Sequence, residues 1–241
     1  MPRRDRASLP MAGRKPITEQ QEPALLAALE QVPERDALII LASLHLGFRI
    51  SETLSLNVSQ VWEGGRVKAQ VKIERRRLKG GRGRHRNRIS SRCVPINPIL
   101  TVALEKHLFG RFGSGDAPPG EPLFPSRMRG RRLSRWRANA IVHEVLRAAG
   151  IDDGENYGTH SLRKAFCRKV YQVTRYDINM TREIMAHASI VTTQKYLECD
   201  LAACQQAVLD IGRLPMPAAG AHLNQGGSAP NGDHHRTPAA F

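Results

Sequence analysis

Apolar residues recur at helical spacing through the first part of the chain. Leu25 and Leu29 lie four residues apart, and Pro23 just before them fits the first turn of a helix better than its interior. Pro33 ends this helix, and the segment 37–46 that follows is apolar on nearly every side. A helix that is apolar all round packs inside a core, so we expect the second helix at the centre of the domain.

Between residues 66 and 94 the period of the pattern changes to two. Apolar residues at the odd positions of 67–73 alternate with polar ones, which predicts a half-buried strand, and a less regular alternation over 88–93 predicts its partner. The connection 75–88, RRRLKGGRGRHRNR, has glycines for turning and no acidic residue. We expect a long basic hairpin. The alternative is a solvated loop, but charge of one sign at this density repels itself unless a polyanion neutralises it.

Helical spacing returns after the hairpin. Asn97 and Pro98 predict the start of a helix that runs to Phe112, and the Gly/Pro-rich segment 113–126 predicts a loop. A basic segment, 127–140, then leads into an amphipathic helix. We expect its arginines outside and its aromatic residue, Trp136, at least partly buried. Further helices are predicted near 160–175, near 178–186 and from about Thr192 to Ile211, with Thr192 capping the last.

These elements predict an α+β fold that is mainly α-helical, with a small antiparallel β-sheet formed by the hairpin. The basic, proline-containing residues 1–17 are expected to form a flexible arm. Residues 18–213 form the predicted folded domain. Residues 214–241 are rich in Pro, Gly and Ala and predict a disordered tail.

Charge narrows the class of partner. The chain of 241 residues has a formal net charge of +15 and contains 37 Lys and Arg residues. Such an excess indicates a polyanionic partner. Arginine greatly outnumbers lysine, and a guanidinium can meet two phosphate oxygens at once.

Membrane and metal sites are not expected. The longest apolar segment, 37–46, is far shorter than the roughly 20 residues of a membrane span, and the basic start lacks the apolar part of a signal peptide. We therefore expect a cytoplasmic protein. The four cysteines, Cys93, Cys167, Cys199 and Cys204, show no C-x-x-C spacing, so we expect buried reduced thiols and no zinc.

Candidate chemistry concentrates between residues 159 and 198. His160 and Arg163 are spaced to share one face of a helix, where both can address one phosphate. A second histidine, His187, and a tyrosine, Tyr196, follow within the same segment. An isolated H-x-x-R pair occurs often by chance, so the signal lies in the ordered set.

Taken in order, these motifs resemble the tyrosine recombinase family, also called the phage integrase family. They are GFRISE at 47–52, a lysine in a basic hairpin, HSLR at 160–163 and MAHASIVTTQKY at 185–196. The last is the most specific, because a histidine precedes a tyrosine by nine residues with two threonines between them. The resemblance covers residues 18–211 and implies the catalytic domain of such an enzyme.

The resemblance implies a role for each motif residue. Arg49 and Arg163 match the paired arginines that hold the scissile phosphate. His160 matches the histidine that assists proton movement at the nucleophile, and His187 matches the one that hydrogen-bonds the phosphate. Tyr196 matches the nucleophile, whose hydroxyl attacks phosphorus to form a 3′-phosphotyrosyl link and free a 5′-hydroxyl. That link conserves the bond energy, so no ATP or other cofactor is implied.

Two supporting residues are less directly matched. Lys79 resembles the hairpin lysine that protonates the leaving 5′ oxygen, with Lys72 as the second candidate. Glu52 resembles the acidic residue that braces Arg49; by spacing alone, the favoured interpretation is an exposed ion pair worth some tenths of a kcal/mol. Seven arginines are expected to contact DNA, namely Arg82, Arg84, Arg86, Arg88, Arg131, Arg132 and Arg135.

The chain also departs from the family pattern. Ala186 stands where many members have glycine, which is tolerable if the backbone there is helical, and Lys164 stands where a histidine is common. The helical core-binding domain that usually comes first is missing. A truncation, a naturally compact recombinase and a partner protein that completes the clamp are the three explanations.

The predicted function is site-specific cleavage and rejoining of double-stranded DNA in integration, excision or resolution. We expect a homo-oligomer, a dimer or tetramer on DNA, or a pairing with a partner recombinase. The alternative is a DNA-binding accessory protein of the same fold without activity. A type IB topoisomerase is a third possibility, which a terminal helix after Tyr196 disfavours.

Overall fold

The computed structural model describes residues 14–77, 91–128, 130–151, 156–197 and 208–210. The chain divides into two units, Met1–Glu198 and Cys199–Phe241, and the described residues of the second unit, 208–210, are helical. The tip of the predicted hairpin, most of the arm and the predicted tail lie outside the described residues. The proposed boundaries at residues 17 and 213 stay predictions.

The described residues are mainly helical, which confirms the predicted fold class. The helices are α1 (Glu22–Leu29), α2 (Glu34–Leu46), α3 (Ile50–Thr53), α4 (Pro98–Phe112), α5 (Arg135–Ala148), α6 (Thr159–Val173), α7 (Ile178–Met185) and α8 (Ile190–Leu197). The strands are β1 (Trp62–Glu63), β2 (Arg66–Val67), β3 (Gln70–Ile73) and β4 (Arg92–Pro95). They form two antiparallel pairs, β1 with β2 and β3 with β4.

The helix α2 lies at the centre of the fold, as its apolar pattern predicts. It packs against α4, α5 and α6. One side, with Leu38 and Leu46, contributes to a core shared with α4 and the strands, while Ile40 and Leu44 contribute to a second core with α1 and α5. All four side chains are almost fully buried. Because α2 separates two cores, its C-terminal end is held firmly in place.

The predicted strand over 67–73 is interrupted. Its first part, β2, pairs with β1, whereas β3 pairs with β4 in a register that places Ile73 opposite Arg92. Ala69 between them is exposed, contrary to the predicted alternation. In the partner strand β4, Arg92 faces inward while Cys93 is exposed. The expectation of buried cysteines holds for Cys167 and fails for Cys93.

Helices are present at the positions predicted after the hairpin, and the last of them is described as far as Leu197. The Asn97 side chain accepts from the backbone N–H of Leu100 at 3.0 Å and caps α4. The predicted burial of Trp136 is wrong, because this side chain is 79 % exposed. The buried face of α5 is set by Ala138 and Ile141, and a residue two positions before Ala138 points to the opposite side.

Among the described helices, none has the length and apolar character needed to cross a membrane.

Candidate active site

The end of α2 shapes the first part of the site. Gly47 adopts a left-handed conformation with φ of 60° and ends the helix. A Cβ atom at this position would lie 2.1 Å from a ring carbon of Phe166 on α6, so the close approach of the two elements requires glycine. The chain then turns past Phe48 and presents Arg49 at the start of α3.

Arg49 is braced by a buried carboxylate. Its guanidinium donates to Glu52 Oε1 at 2.8 Å, and its backbone N–H donates to Glu52 Oε2 at 2.9 Å. Glu52 is 1 % exposed, so the alternative of a surface ion pair is wrong. Both carboxylate oxygens bind the same residue, which fixes the direction of the arginine side chain.

Arg163 on α6 is almost fully buried. Its guanidinium donates to Gly47 O and, at 3.0 Å, to Met185 O at the end of α7. Burial lowers the pKa of Arg163, and the nearby charge of Arg49 lowers it further. The two arginines that the sequence places 114 residues apart therefore lie close enough to repel each other, an arrangement that a bound anion would stabilise.

The turn after α7 positions His187. Ala186 adopts a left-handed conformation with φ of 50° and ψ of 48°, so the condition under which alanine is tolerable here, a helical backbone, is not met. The N–H of Ala186 donates to Glu183 O at 2.9 Å and that of His187 donates to Arg182 O at 3.1 Å. This pair of hydrogen bonds is a Schellman motif, in which glycine is the usual left-handed residue.

The imidazole of His187 is buried and neutral. Its Nδ1 lies 3.0 Å from Thr193 Oγ1 on α8, while its Nε2 is buried without a partner among the described residues. Burial lowers the pKa of His187 to about 3, with further lowering by Arg163, Arg49 and Arg92. At neutral pH this side chain can donate one hydrogen bond and accept one.

Tyr196 on α8 lies against both histidines and Arg163. Its ring centroid is 4.9 Å from that of His187, and its hydroxyl is 3.5 Å from His160 Nδ1. The Cζ atom of Arg163 is 5.8 Å from the centre of the tyrosine ring. Burial lowers the pKa of His160, as do Arg163 and Arg49, so the phenol faces a neutral imidazole that can accept its proton.

The start of α8 differs from the prediction. The helix begins at Ile190 and the hydroxyl of Ser189 accepts from the N–H of Val191 at 3.2 Å. Thr192, the predicted cap, lies inside the helix and donates its N–H to Ser189 O at 3.1 Å. The predicted continuation beyond Leu197 lies largely outside the described residues.

Arg92 is a further residue of the site that the sequence pattern did not predict. This residue is 8 % exposed, lies over the ring of Phe48 at 4.9 Å, and donates to Ile184 O at 2.7 Å. Burial lowers its pKa to about 10, with a further contribution from Arg163. The one signal in the sequence is its place two residues before the apolar Val94, which puts both side chains on the inner face of β4.

Several buried nitrogen atoms without a hydrogen-bond partner among the described residues lie in the cluster formed by Arg49, Arg92, Arg163, His187 and Tyr196. Five buried side-chain nitrogens have no partner among the described residues, and three of them belong here: Arg92 Nε, Arg163 Nε and His187 Nε2. Arg49, Arg92 and Arg163 outnumber the one carboxylate, Glu52. The described residues contain no group of His, Cys, Asp and Glu that could hold a metal ion. The arrangement suits an anion bound beside a tyrosine hydroxyl.

The structure describes only some of the other predicted site residues. Lys79, Arg82, Arg84, Arg86 and Arg88 lie outside the described residues. Lys72 is exposed on β3 and lines an open cleft with Gln60 and Lys68.

The remaining predicted DNA contacts flank the start of α5. Arg131 and Arg135 are exposed. Arg132 is not on the outside as expected; it is half-buried and donates to Leu56 O at 2.7 Å. Arg131 and Arg132 line an open cleft of about 610 Å³ with Arg35, Arg127 and Arg137.

The family model and the similar proteins that match this chain agree on one family. Residues 15–202 match the model of the phage integrase family. The tyrosine recombinase XerC of Mycobacterium tuberculosis is 29 % identical over 195 residues, which cover 80 % of this chain and 57 % of XerC. XerD of Mycobacterium leprae is 30 % identical over 193 residues, covering 76 % and 56 %. The chain thus spans little more than half the length of these curated relatives.

Solved structures share the fold. The crystal structure of XerA recombinase superposes with a TM-score of 0.65 at 20 % identity, covering 85 % of this chain and 67 % of XerA. XerH site-specific recombinase bound to a palindromic difH substrate, in a post-cleavage complex, gives a TM-score of 0.62 at 21 % identity, covering 83 % and 54 %. The fold expected from the motifs is confirmed.

Proposed function

The chain belongs to the phage integrase family, and on this premise we propose that it is a site-specific DNA recombinase that cleaves and rejoins strands through Tyr196. One observation carries the proposal. The Tyr196 hydroxyl lies 3.5 Å from His160 Nδ1, at a cluster whose buried donors include Arg163 Nε and His187 Nε2 without partners among the described residues. A nucleophile, a proton acceptor and anion-binding groups therefore converge.

The reaction follows from these positions. Arg49, Arg163 and His187 hold the non-bridging oxygens of the scissile phosphate and offset the charge that builds on them. The Tyr196 oxygen attacks phosphorus while its proton passes to His160. The bond from phosphorus to the 5′ oxygen breaks, leaving a 3′-phosphotyrosyl link and a free 5′-hydroxyl. Rejoining reverses the step with a 5′-hydroxyl as the nucleophile.

The leaving 5′ oxygen needs a proton. We assign this role to Lys79, which the hairpin would bring to the DNA, with Lys72 as the second candidate. The two candidates make different predictions, since only the correct lysine becomes dispensable when the 5′ oxygen is replaced by sulfur, a better leaving group that needs no proton.

Double-stranded DNA is the proposed substrate. A net charge of +15 and the exposed side chains of Arg131 and Arg135 support backbone contact, as does the predicted basic hairpin with Arg82, Arg84, Arg86 and Arg88. Each phosphate neutralised on a duplex adds about 0.9 to the salt slope of binding. Strand exchange joins ends from two sites, so we infer that copies of this chain, or one copy and a partner recombinase, assemble on the DNA.

A nicked substrate tests the proposal. DNA fragments bound by the full chain are first selected from a random library, and the selected site is then nicked near the cleavage position so that rejoining fails. The wild type should accumulate a covalent adduct at a 3′ phosphate. Tyr196→Phe should bind with unchanged affinity and form none.

The matched control is Tyr176→Phe, which removes a hydroxyl from an exposed tyrosine outside the cluster. This variant should form the adduct at the wild-type rate. Tight binding of the selected site by the wild type without any adduct, or an adduct that survives in Tyr196→Phe, would overturn the proposal. Relaxation of a supercoiled plasmid gives a second readout that requires the tyrosine and only one site.

A further inference from the structure

A buried hydrogen bond joins His187 to the helix of the proposed nucleophile. His187 Nδ1 lies 3.0 Å from Thr193 Oγ1. Thr193 is fully buried and His187 is 5 % exposed, so water does not compete for the bond. Thr193 lies three residues before Tyr196 on α8, and residues at that spacing share a face of a helix. The bond therefore couples the orientation of the imidazole to the position of the tyrosine.

The direction of the bond follows from the hydroxyl. A buried hydroxyl proton needs an acceptor. Among the described residues, His187 Nδ1 is the one hydrogen-bond partner, side chain or backbone, that the structure gives to Thr193 Oγ1. If Nδ1 carried the imidazole proton, the threonine proton would stay buried without an acceptor. The hydroxyl of Thr193 therefore donates, and Nδ1 accepts.

The state of the other ring nitrogen is then fixed. Burial and the neighbouring arginines keep His187 neutral, since its pKa is lowered to about 3. A neutral imidazole carries one proton, and with Nδ1 as the acceptor that proton is on Nε2. His187 Nε2 is buried and has no partner among the described residues. It is a donor that no described residue satisfies, so it is available to an acceptor on a bound molecule.

We propose that Thr193 is a positioning residue, which holds His187 as the Nε2–H tautomer and directs this N–H to a non-bridging oxygen of the phosphate that Tyr196 attacks. The opposite tautomer would present a lone pair to that oxygen and repel it. The identity of the acceptor rests on the proposed function, whereas the tautomer is a property of the free protein and can be measured without DNA.

The first experiment reads the tautomer. Nitrogen-15 spectra of the full chain separate protonated from unprotonated imidazole nitrogens, and the variant His187→Gln identifies the signals of His187 among nine histidines. The wild type and Thr193→Ser should both show a protonated Nε2 and an unprotonated Nδ1. Thr193→Val should show a mixture of tautomers. A protonated Nδ1 in the wild type, or a Thr193→Ser spectrum like that of Thr193→Val, would overturn the inference.

The second experiment reads the reaction in a single turnover on the nicked substrate. Thr193→Val should form the covalent adduct roughly 10- to 100-fold more slowly, by analogy with the loss seen when the hydrogen-bond partner of a metal-ligating histidine is removed, with unchanged DNA affinity. Thr193→Ser should recover to within about threefold of the wild type, which separates the hydroxyl from packing.

Thr192→Val makes the same change at the preceding, half-buried residue and should leave the rate unchanged. A wild-type rate in Thr193→Val, or failure of Thr193→Ser to recover, would contradict the inference. If the wild type forms no adduct on any selected site, the proposed function fails, and the nitrogen-15 spectra still decide the tautomer.

Discussion

Arg92 and Arg163 bind neighbouring carbonyl groups at the ends of the same two helices. The acceptors are Gly47 O and Met185 O for Arg163, and Leu46 O at 3.4 Å and Ile184 O at 2.7 Å for Arg92. Carbonyls at helix C-termini carry partial negative charge, which stabilises a cation. The two guanidinium groups thus tie the end of α2, which precedes Arg49, to the end of α7, which precedes His187.

Replacement of Arg92 should loosen this junction. In Arg92→Met, buried carbonyls lose their donor, and we expect the free energy of unfolding to fall by about 2 kcal/mol. Urea denaturation followed by circular dichroism measures the change. Arg131→Met, at an exposed position, should shift the value by less than about 0.5 kcal/mol. Equal stability of Arg92→Met and the wild type would show that the two carbonyl bonds contribute nothing.

Replacement of Ala186 by glycine should stabilise the protein. A left-handed conformation costs an L-residue roughly 1–2 kcal/mol, and glycine avoids that cost but loses more entropy on folding. We expect Ala186→Gly to raise the free energy of unfolding by about 0.5–1 kcal/mol. Ala27→Gly, on the exposed side of α1, should lower it by about 1 kcal/mol. The opposite sign at the two alanines is the result to look for in thermal or urea unfolding, and a loss of stability at both would refute the expectation.

Much of the architecture is predictable because the spacing of apolar residues along the chain determines which side of each helix is buried. The apolar pattern places α2 in the core, and Asn97 marks the start of α4. The ordered motifs predicted one cluster from distant segments, and the structure brings Arg163 and Tyr196 together there.

The parts that sequence does not reveal depend on contacts between distant segments. Arg92 looks like one more residue of a basic stretch, and only the packing of β4 against the ends of α2 and α7 gives it buried acceptors. The left-handed turn at Ala186 is hidden because its residue type is not glycine. The predicted burial of Trp136 was wrong because aromatic side chains are buried in general, whereas its helix already has a complete apolar face without it.

Replacement should be costly at one of the two tryptophans and nearly neutral at the other. Trp62 is 2 % exposed and donates from Nε1 to Gly115 O at 2.9 Å, whereas Trp136 is 79 % exposed. Trp62→Ala should lower the free energy of unfolding by about 3–5 kcal/mol, and Trp136→Ala should change it by less than about 0.5 kcal/mol. Acrylamide should quench the fluorescence of Trp62→Phe, which retains Trp136, far more than that of Trp136→Phe. Similar quenching of both variants would contradict the exposure of Trp136.

His160 sets an expectation for the pH dependence of cleavage. Its pKa is lowered from 6.5 by burial and by Arg163 and Arg49, so in the free protein it stays neutral down to a pH below 6.5. If it accepts the Tyr196 proton, the second-order rate of adduct formation should hold constant toward acid and fall only below about pH 6.5. In His160→Gln the rate should be lower and this acid limb should vanish. A wild-type rate that already declines above pH 6.5 would exclude His160 as the acceptor.

His187 should make folding sensitive to acid. Its pKa is about 3 in the folded protein, against 6.5 for an ordinary histidine. Between these values the unfolded chain binds more protons than the folded protein. The contribution of His187 to the free energy of unfolding is therefore fully present above about pH 6.5, and it falls by up to about 1.4 kcal/mol per pH unit as the pH decreases. Other groups titrate in the same range, but their contributions to the pH dependence of stability cancel when the wild type is compared with His187→Gln.

The stability advantage of the wild type over His187→Gln should therefore be largest near about pH 7.5 and shrink steadily toward about pH 4.5. Urea unfolding of both proteins across this range measures the difference directly. His143→Gln, which removes a half-buried imidazole from α5, is the comparison variant. A constant difference between the wild type and His187→Gln would mean that His187 titrates alike in the folded and unfolded chains, against the buried, arginine-flanked position that the structure gives it.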